Sequence, residues 1–277
     1  MATNGTLKGK TLLITGASRG IGLAIAKRAA ADGANIVIAA KTDKVTAGKE
    51  GTIHSAAEDI RAAGGQALAV VCDVRMVEQI AAAIEAGVSE FGGIDILVNN
   101  ASAIDLSPTA QIDPKRYLLM QDVNVRGTFM ATRLALPHLV KSANPHVLTL
   151  SPPLAWMHKW LPKYPAYASS KYGMSMLTQA FAGEFAPLGV AANSLWPESL
   201  IATAAVAQFP NGQLLLRHSR HPSIVADAAY QILTQNSREC TGQFYVDSQV
   251  LFAAGVGDLT MYAIEPGNEL YPDIFLD

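Results

Sequence analysis

Tyr167 and Lys171 close the stretch SPPLAWMHKWLPKYPAYASSKYG (151–173), four residues apart. On a helix that spacing puts both side chains on one face, a single turn apart. The continuation SSKYGMSMLTQAFAGEF reads as such a helix. A phenol titrating near 10 is a poor proton exchanger at neutral pH. An ammonium beside it favours the phenolate, and a lowering of about two to three units needs ~3–4 kcal/mol of differential interaction. A close cation at intermediate dielectric can supply that much. The chemistry on offer is proton exchange with a substrate oxygen, with Tyr167 as acid/base. Taken alone, the pair could as well be an exposed helix face, so its meaning depends on where a fold puts it. Tyr164 and Tyr172 have no lysine four residues on and read as packing or pocket wall. Ser151 opens the stretch with a hydroxyl able to donate to a carbonyl, and Pro152 and Pro153 fix a stiff extended path behind it. His158 is an outside candidate that reads more as surface than as site.

The surrounding sequence alternates short apolar runs with longer helical patterns. The runs are TLLITG (11–16), ANIVIAA (34–40), ALAVVCDV (67–74), IDILVNNA (94–101), PHVLTLS (145–151), VAANSLW (190–196) and TGQFYVD (241–247). Val-, Ile- and Leu-rich runs without polar alternation are expected where both faces of a sheet are covered, and the intervening helices make the crossovers. About seven such units predict an α/β, Rossmann-type doubly wound parallel sheet with helices on both faces, and one domain over residues 1–277. The segment TDKVTAGKE (42–50) reads as a loop insertion and the tail after Val250 as irregular. In such a fold Tyr167 and Lys171 follow the fifth strand, in register with its end.

Ile14-Thr15-Gly16-Ala17-Ser18-Arg19-Gly20-Ile21-Gly22 joins the first strand to the first helix. Glycines there let backbone approach a pyrophosphate, and the helix N-terminus offers free N–H donors and a positive dipole end. A tight strand-to-helix connection would need similar residues, so the turn alone is weak evidence. Its position in an alternating fold strengthens it. The spacing G-x-x-x-G-x-G, the segment Asn99-Asn100-Ala101 and the Tyr167/Lys171 pair together resemble the short-chain dehydrogenase/reductase family over nearly the whole chain.

The resemblance implies a nicotinamide dinucleotide on Gly16, Ser18, Arg19, Gly20, Ile21 and Gly22. Asp73, with Val74 beside it, falls at the adenine side, although Asp73 could equally cap the next helix. Asn100 and Ala101 fall beside the cofactor, structural first and lining second. Tyr167, Lys171 and Pro197 fall at the nicotinamide half. The second strand ends Ala39-Ala40-Lys41-Thr42, with no acid to meet ribose hydroxyls. Lys41 and Arg19 suit a 2′-phosphate instead, with charge-assisted bonds of roughly 1.5–3 kcal/mol each. The expected cofactor is therefore NADP(H), unless those two cations are ordinary solvated charges.

By the same resemblance Asn124 supports a proton relay to Lys171, the alternative being an amide that ties two helix ends together. The family's carbonyl-polarising serine lies 13 residues before its tyrosine. That position is Leu154 here, with Pro152 in the serine's alignment slot. Either Ser151 takes over the donor role or that donor is gone, a loss typically costing ~10²–10³ in rate. Leu154, Trp156, Met157, Trp160 and Leu161 could wall a hydrophobic pocket or form an oligomer contact. Glu198 stands where the family has glycine after Pro197, which puts the amide-side cofactor contacts in doubt. Thr203 comes one residue later than the family's usual threonine, and by the same resemblance residues 199–221 correspond to the family's mobile substrate cover.

Half the residues are apolar and only 16% are charged, with a net charge of −2, so no basic stripe or acidic block suits nucleic acid or a polyanion. Cys72 and Cys240 lack metal-ligand spacing, and so few thiols fit a reducing compartment. The polar start MATNGTLKGK and the lack of a long apolar run lead to the expectation of a cytoplasmic protein without a membrane span. The family further implies a homodimer or homotetramer built on the long helices. The functional expectation is an NADP(H)-dependent oxidoreductase interconverting a carbonyl and a secondary alcohol on a lipophilic small molecule, with Tyr167, Lys171, Asn124 and Ser151 as the catalytic set and no metal. The alternative is a catalytically weak or inactive dinucleotide-binding protein of the same fold.

Overall fold

The computed structural model describes residues 6–45, 51–154 and 159–276. Trp156, Met157 and His158, and the end of the expected insertion at 46–50, lie outside the described residues.

All seven apolar runs are strands: β1 (Thr11–Thr15), β2 (Asn35–Ala40), β3 (Gln66–Val71), β4 (Ile96–Asn99), β5 (His146–Leu150), β6 (Ala191–Trp196) and β7 (Phe244–Val246). They form one parallel sheet in the order β3-β2-β1-β4-β5-β6-β7. The crossover helices are α1 (Gly20–Ala30), α2 (Ile53–Ala62), α3 (Val77–Phe91), α4 (Pro114–Met120), α5 (Gly127–Leu139) and α6 (Pro165–Phe185). Two short helices, α7 (Ala204–Ala207) and α8 (Gly212–Arg217), precede α9 (Ser223–Leu233), and α10 (Asp247–Ala253) follows β7. The tail expected to be irregular thus begins with a helix. Among the described residues no helix is long and apolar enough to cross a membrane.

Alternation along each strand sends side chains to opposite faces. Leu12, Ile14, Ile36 and Ile38 pack towards α1, α2 and α9, whereas Leu13, Val37, Leu97 and Val147 pack towards α3, α5 and α6. Both faces being covered, most strand positions are apolar, which is why the strands read as largely apolar runs, and buried polar exceptions such as Asn193 and Ser194 on β6 are hydrogen-bonded. The strand order reverses between β1 and β4, and such a switch point opens a crevice at the C-terminal strand ends.

One buried group makes stability depend on pH. His146, at the start of β5, is 1% exposed, and its Nε2 lies 3.1 Å from the Gln235 carbonyl. Burial pulls its imidazole down to about 4, with the Gln235 carbonyl opposing. A folded-state value below the unfolded one gives stability that is present above pH 6.5 and lost as pH falls towards 4. The loss should total roughly 3 kcal/mol. Urea unfolding between pH 7 and 4 should show that part of the slope in the wild type and not in His146→Gln.

Candidate active site

The C-terminal ends of β1 to β4 frame a cleft of about 380 Å³. Gly16 turns the chain out of β1 at φ +70°, and a Cβ there would sit 3.0 Å from Ala101 Cα. A Cβ on Gly22 would sit 2.5 Å from Asn100 Nδ2. Only glycine allows that approach. Asn100 Nδ2 donates to the carbonyls of Thr15 (2.9 Å) and Gly16 (3.2 Å), while the N–H groups of Asn100 and Ala101 donate to Thr15 Oγ1, 3.0 Å each. Asn100 and Ala101 therefore pin the glycine turn to β4. The first turn of α1 contains no acid, so its N–H groups and dipole face the cleft uncompensated. A glycine cradle beside a free helix N-terminus fits a pyrophosphate.

Gly16, Ser18, Arg19, Gly20 and Ile21 line this cleft from the turn, Lys41 from the end of β2, Asp73 and Val74 from beyond β3, and Asn100 and Ala101 from β4. Gly22 lies just behind, against Asn100. Arg19 Nη2 donates to the Gly51 carbonyl at 2.7 Å, while its buried Nε has no partner among the described residues. Lys41 is exposed. Asp73 is engaged by Arg75, whose Nε donates to both carboxylate oxygens at 2.9 and 3.0 Å. The Arg75 guanidinium, aided by its backbone N–H and by Lys41, holds the Asp73 carboxyl below the usual range against partial burial.

Tyr167, Lys171 and Pro197 are absent from the cleft wall. Tyr167 and Lys171 project from α6, which Pro165 opens at its first turn, and are 6% and 2% exposed. Lys171 Nζ donates to the Leu150 carbonyl at 2.7 Å and lies 5.0 Å from the Trp196 ring centroid. Burial pulls this amine down to about 7, with the Asp273 carboxylate opposing. The lowering of Tyr167 expected from Lys171 is not what the structure shows. Burial, and next the Asp273 charge, push the phenol above its ordinary value, because Lys171 is itself buried and donates to the Leu150 carbonyl, so the phenol at rest is neutral.

Ser151, directly after β5, is 0% exposed, and its Oγ has no partner among the described residues. Its carbonyl accepts from Ser194 Oγ at 2.6 Å, and the Pro152 carbonyl accepts from Ser175 Oγ at 2.6 Å. The backbone at Ser151 and Pro152 is thus clamped while the serine hydroxyl is left over, and leaving a buried hydroxyl unpaired is costly.

Asn124 sits in a π-helical turn, Gln121–Arg126, between α4 and α5. Such turns often mark functional positions. Its Oδ1 accepts from the Ala103 N–H at 2.7 Å, and its Nδ2 donates to the Ala103 carbonyl and to Ser170 Oγ, 2.9 Å each. Ser170 donates on to the Tyr167 carbonyl at 2.9 Å. The amide therefore ties the segment after β4 to the turn of α6 that carries Tyr167. Asn124→Ala should cost about 2–4 kcal/mol, because both polar groups of Ala103 lose their partner. Denaturant unfolding checks this.

The segment from Tyr271 to Leu276 closes over these residues. Leu200 N–H donates to the Tyr271 carbonyl at 2.9 Å, and Asp273 N–H to the Glu198 carbonyl at 3.0 Å. Trp196 Nε1 donates to the Ile274 carbonyl at 2.8 Å, and Trp160 Nε1 to the Leu276 carbonyl at 3.1 Å. Phe275 is 0% exposed and stacks on Tyr167 with ring centroids 5.8 Å apart. Burial holds the Asp273 carboxyl well above its usual range. Trp160 and Leu161 pack into this aromatic cluster, whereas Leu154 is 45% exposed.

Glu198 needs no glycine-like conformation. The non-glycine residues at positive φ are Asn211 and Phe275 among those described. Instead Glu198 is tied down, its N–H donating to Asp247 Oδ1 and its Oε2 accepting from Arg220, 2.9 Å each. Thr203 caps α7 and lines the cleft.

Three residues of this region escape a reading of the sequence: Arg75, Asp273 and Phe275. Arg75 carries a weak signal, a cation two residues after the acid. For Asp273 and Phe275 the signal is no more than a short apolar run, Ile274-Phe275-Leu276, in a tail that otherwise reads as irregular.

The sequence profile described as short chain dehydrogenase matches residues 10–213. Hydroxysteroid dehydrogenase-like protein 2 of Danio rerio is 50% identical over 277 residues, covering 100% of this chain and 66% of the relative. The human protein of that name is 48% identical over the same span. This chain thus spans about two thirds of the length of those relatives. Among solved structures, a short chain dehydrogenase from Mycobacterium thermoresistibile superposes with a TM-score of 0.93 at 46% identity, covering 98% of this chain and 96% of the other. With a glycine cradle at the switch point of a parallel sheet, a Tyr/Lys helix after its fifth strand and relatives this similar along its whole length, the chain belongs to the short-chain dehydrogenase family of oxidoreductases.

Proposed function

We propose that this protein is an NADP(H)-dependent oxidoreductase that interconverts a carbonyl and a secondary alcohol on a lipophilic small molecule, with Tyr167 as the acid/base. One observation carries the reading. Tyr167, Lys171 and Ser151 are each buried, with the Lys171 amine on the Leu150 carbonyl at the end of β5, the unpaired Ser151 hydroxyl on the next residue, and Tyr167 packed in the cluster that contains Trp196 at the end of β6. When bound, the nicotinamide supplies or accepts the hydride. The glycine turn and the N-terminus of α1 would hold the pyrophosphate, Lys41 and Arg19 the 2′-phosphate, and Asp73 with Val74 the adenine side. Lys171 and Pro197 would flank the nicotinamide half.

In the reductive direction the acid must begin protonated, and burial together with the Asp273 charge favours that state of Tyr167. Tyr167 gives its proton to the substrate oxygen as negative charge develops there, and the Ser151 hydroxyl donates to the same oxygen. Asn124 keeps the Tyr167 turn in register. The aromatic surroundings, Trp160, Tyr172 and Trp196, suit an apolar substrate, and the relatives' name makes hydroxysteroid-like alcohols and ketones the first compounds to try. Nicotinamide absorbance, followed with NADPH or NADH across a panel of aldehydes and ketones, tests the reading: NADPH oxidation with at least one carbonyl supports it.

A second reading, a dinucleotide-binding protein with little turnover, is favoured by the Lys171 amine being spent on the Leu150 carbonyl. It requires NADPH to bind without oxidation by any carbonyl in the panel.

A further inference from the structure

We propose that Ile274–Leu276 is an internal occupant of the substrate site, its Phe275 ring holding the place that a flat apolar group of the substrate takes beside Tyr167, so that turnover requires this segment to withdraw. The proposal rests on the reading above for the identity of the site.

The Phe275 ring is enclosed by the residues a substrate would have to meet. It lies against Tyr167 at an interplanar angle of 26°, meets Tyr172 edge-on at 5.3 Å, and lies 5.9 Å from Trp196. A reacting carbonyl oxygen must come within about 2.6–3.2 Å of the Tyr167 hydroxyl, yet with Phe275 in place Tyr167 is only 6% exposed. Removing the ring would leave a slot walled by Trp196, Tyr172 and Tyr167, of the width and apolarity of a phenyl group. The three aromatic walls select against small polar carbonyls and for aryl or fused-ring ones.

Phe275 sits at φ +78°, a left-handed conformation that bulky residues rarely adopt. Such strain costs about 1–3 kcal/mol and persists only where the surroundings enforce it. Among the described residues the segment from Asp273 onward is fastened to the rest of the chain through its backbone by three hydrogen bonds, Asp273 N–H to the Glu198 carbonyl and the indole N–H groups of Trp196 and Trp160 to the Ile274 and Leu276 carbonyls. It belongs to no strand or helix, so it can leave without disturbing the sheet. The bridge between Ser199 and Pro272 marks the point about which it would swing.

The test uses the full chain, with acetophenone as the aryl probe and 2-butanone as the small one. Hydrogen exchange of the Tyr271 and Asp273–Leu276 amides in the wild type, with NADP bound, should quicken when acetophenone is added. Unchanged or slower exchange overturns the proposal, since a fixed wall would be protected by a ligand packed on it. Phe275→Ala should bind acetophenone at least fivefold more tightly, read from tryptophan fluorescence, and should raise kcat/KM mainly through KM. Weaker or unchanged binding overturns the proposal. If Phe275→Ala does not fold, the exchange experiment on the wild type decides alone. If acetophenone quickens exchange but no carbonyl is ever reduced, the internal occupant stands and the oxidoreductase reading fails. If carbonyls are reduced and exchange does not quicken, the reverse holds.

Discussion

Tyr167→Phe should lower kcat by roughly 10²–10⁴-fold, the usual contribution of a positioned acid/base. NADPH affinity should change little. The substitution removes one oxygen and keeps the ring, so the stack on Phe275 at 5.8 Å and the packing of α6 against β6 survive. A thermal melt of the variant should therefore superpose on that of the wild type. The neighbouring tyrosines provide the control. Tyr172 also touches Phe275, edge-on at 5.3 Å, and Tyr164 stacks on Trp160 at 6.1 Å, but neither has a lysine one turn on. Tyr164→Phe and Tyr172→Phe should stay within a fewfold of wild-type kcat. Equal losses at all three positions would show that the aromatic cluster, not one phenol, limits the reaction. The assignment of Tyr167 would then be wrong.

The second large effect concerns the dinucleotide. Lys41→Ala and Arg19→Ala should each weaken NADPH binding about tenfold to a hundredfold, the equivalent of one charge-assisted bond of about 1.5–3 kcal/mol. NADH binding should be nearly unchanged in Lys41→Ala, because the contact proposed for Lys41 is to the 2′-phosphate that NADH lacks. Arg19 is expected to do slightly more. Its Nη2 also holds the Gly51 carbonyl at 2.7 Å, so its removal loosens the chain ahead of α2 and should cost some affinity for both dinucleotides. Fluorescence titration of both cofactors against both variants separates the two effects. Parallel losses for NADPH and NADH in Lys41→Ala would remove the basis for an NADP(H) preference. Arg75 should not substitute for either cation, because its guanidinium is committed to the Asp73 carboxylate.

The sequence carried the scaffold because that information is local. A strand covered on both faces is largely apolar along its length, so Leu12-Leu13-Ile14 and Ile36-Val37-Ile38 announce themselves regardless of their neighbours. A helix one turn long enough for Tyr167 and Lys171 to share a face is likewise a matter of spacing alone. The glycine turn is legible for a related reason: a Cβ on Gly22 would collide with Asn100, and no other residue type removes it. Where side-chain atoms point was not legible. The Lys171 amine reaches the Leu150 carbonyl, Asn124 is spent on Ala103 and Ser170, and the Ser151 hydroxyl is left unpaired. Each of these depends on groups brought together from distant elements.

The tail makes the contrast sharpest. Phe275 meets Tyr167, and the Leu276 carbonyl meets Trp160, across a separation of more than a hundred residues. No periodicity or spacing links positions that far apart. The amino-acid order by itself determined the parallel sheet, its crevice and the placing of Tyr167 and Lys171 on one helical turn, since short-range sterics and burial dictate these. That a buried carboxyl and a strained phenylalanine from the far end of the chain cover that turn was decided only by tertiary packing, where the apolar Ile274-Phe275-Leu276 run found the aromatic surface left open beside β6.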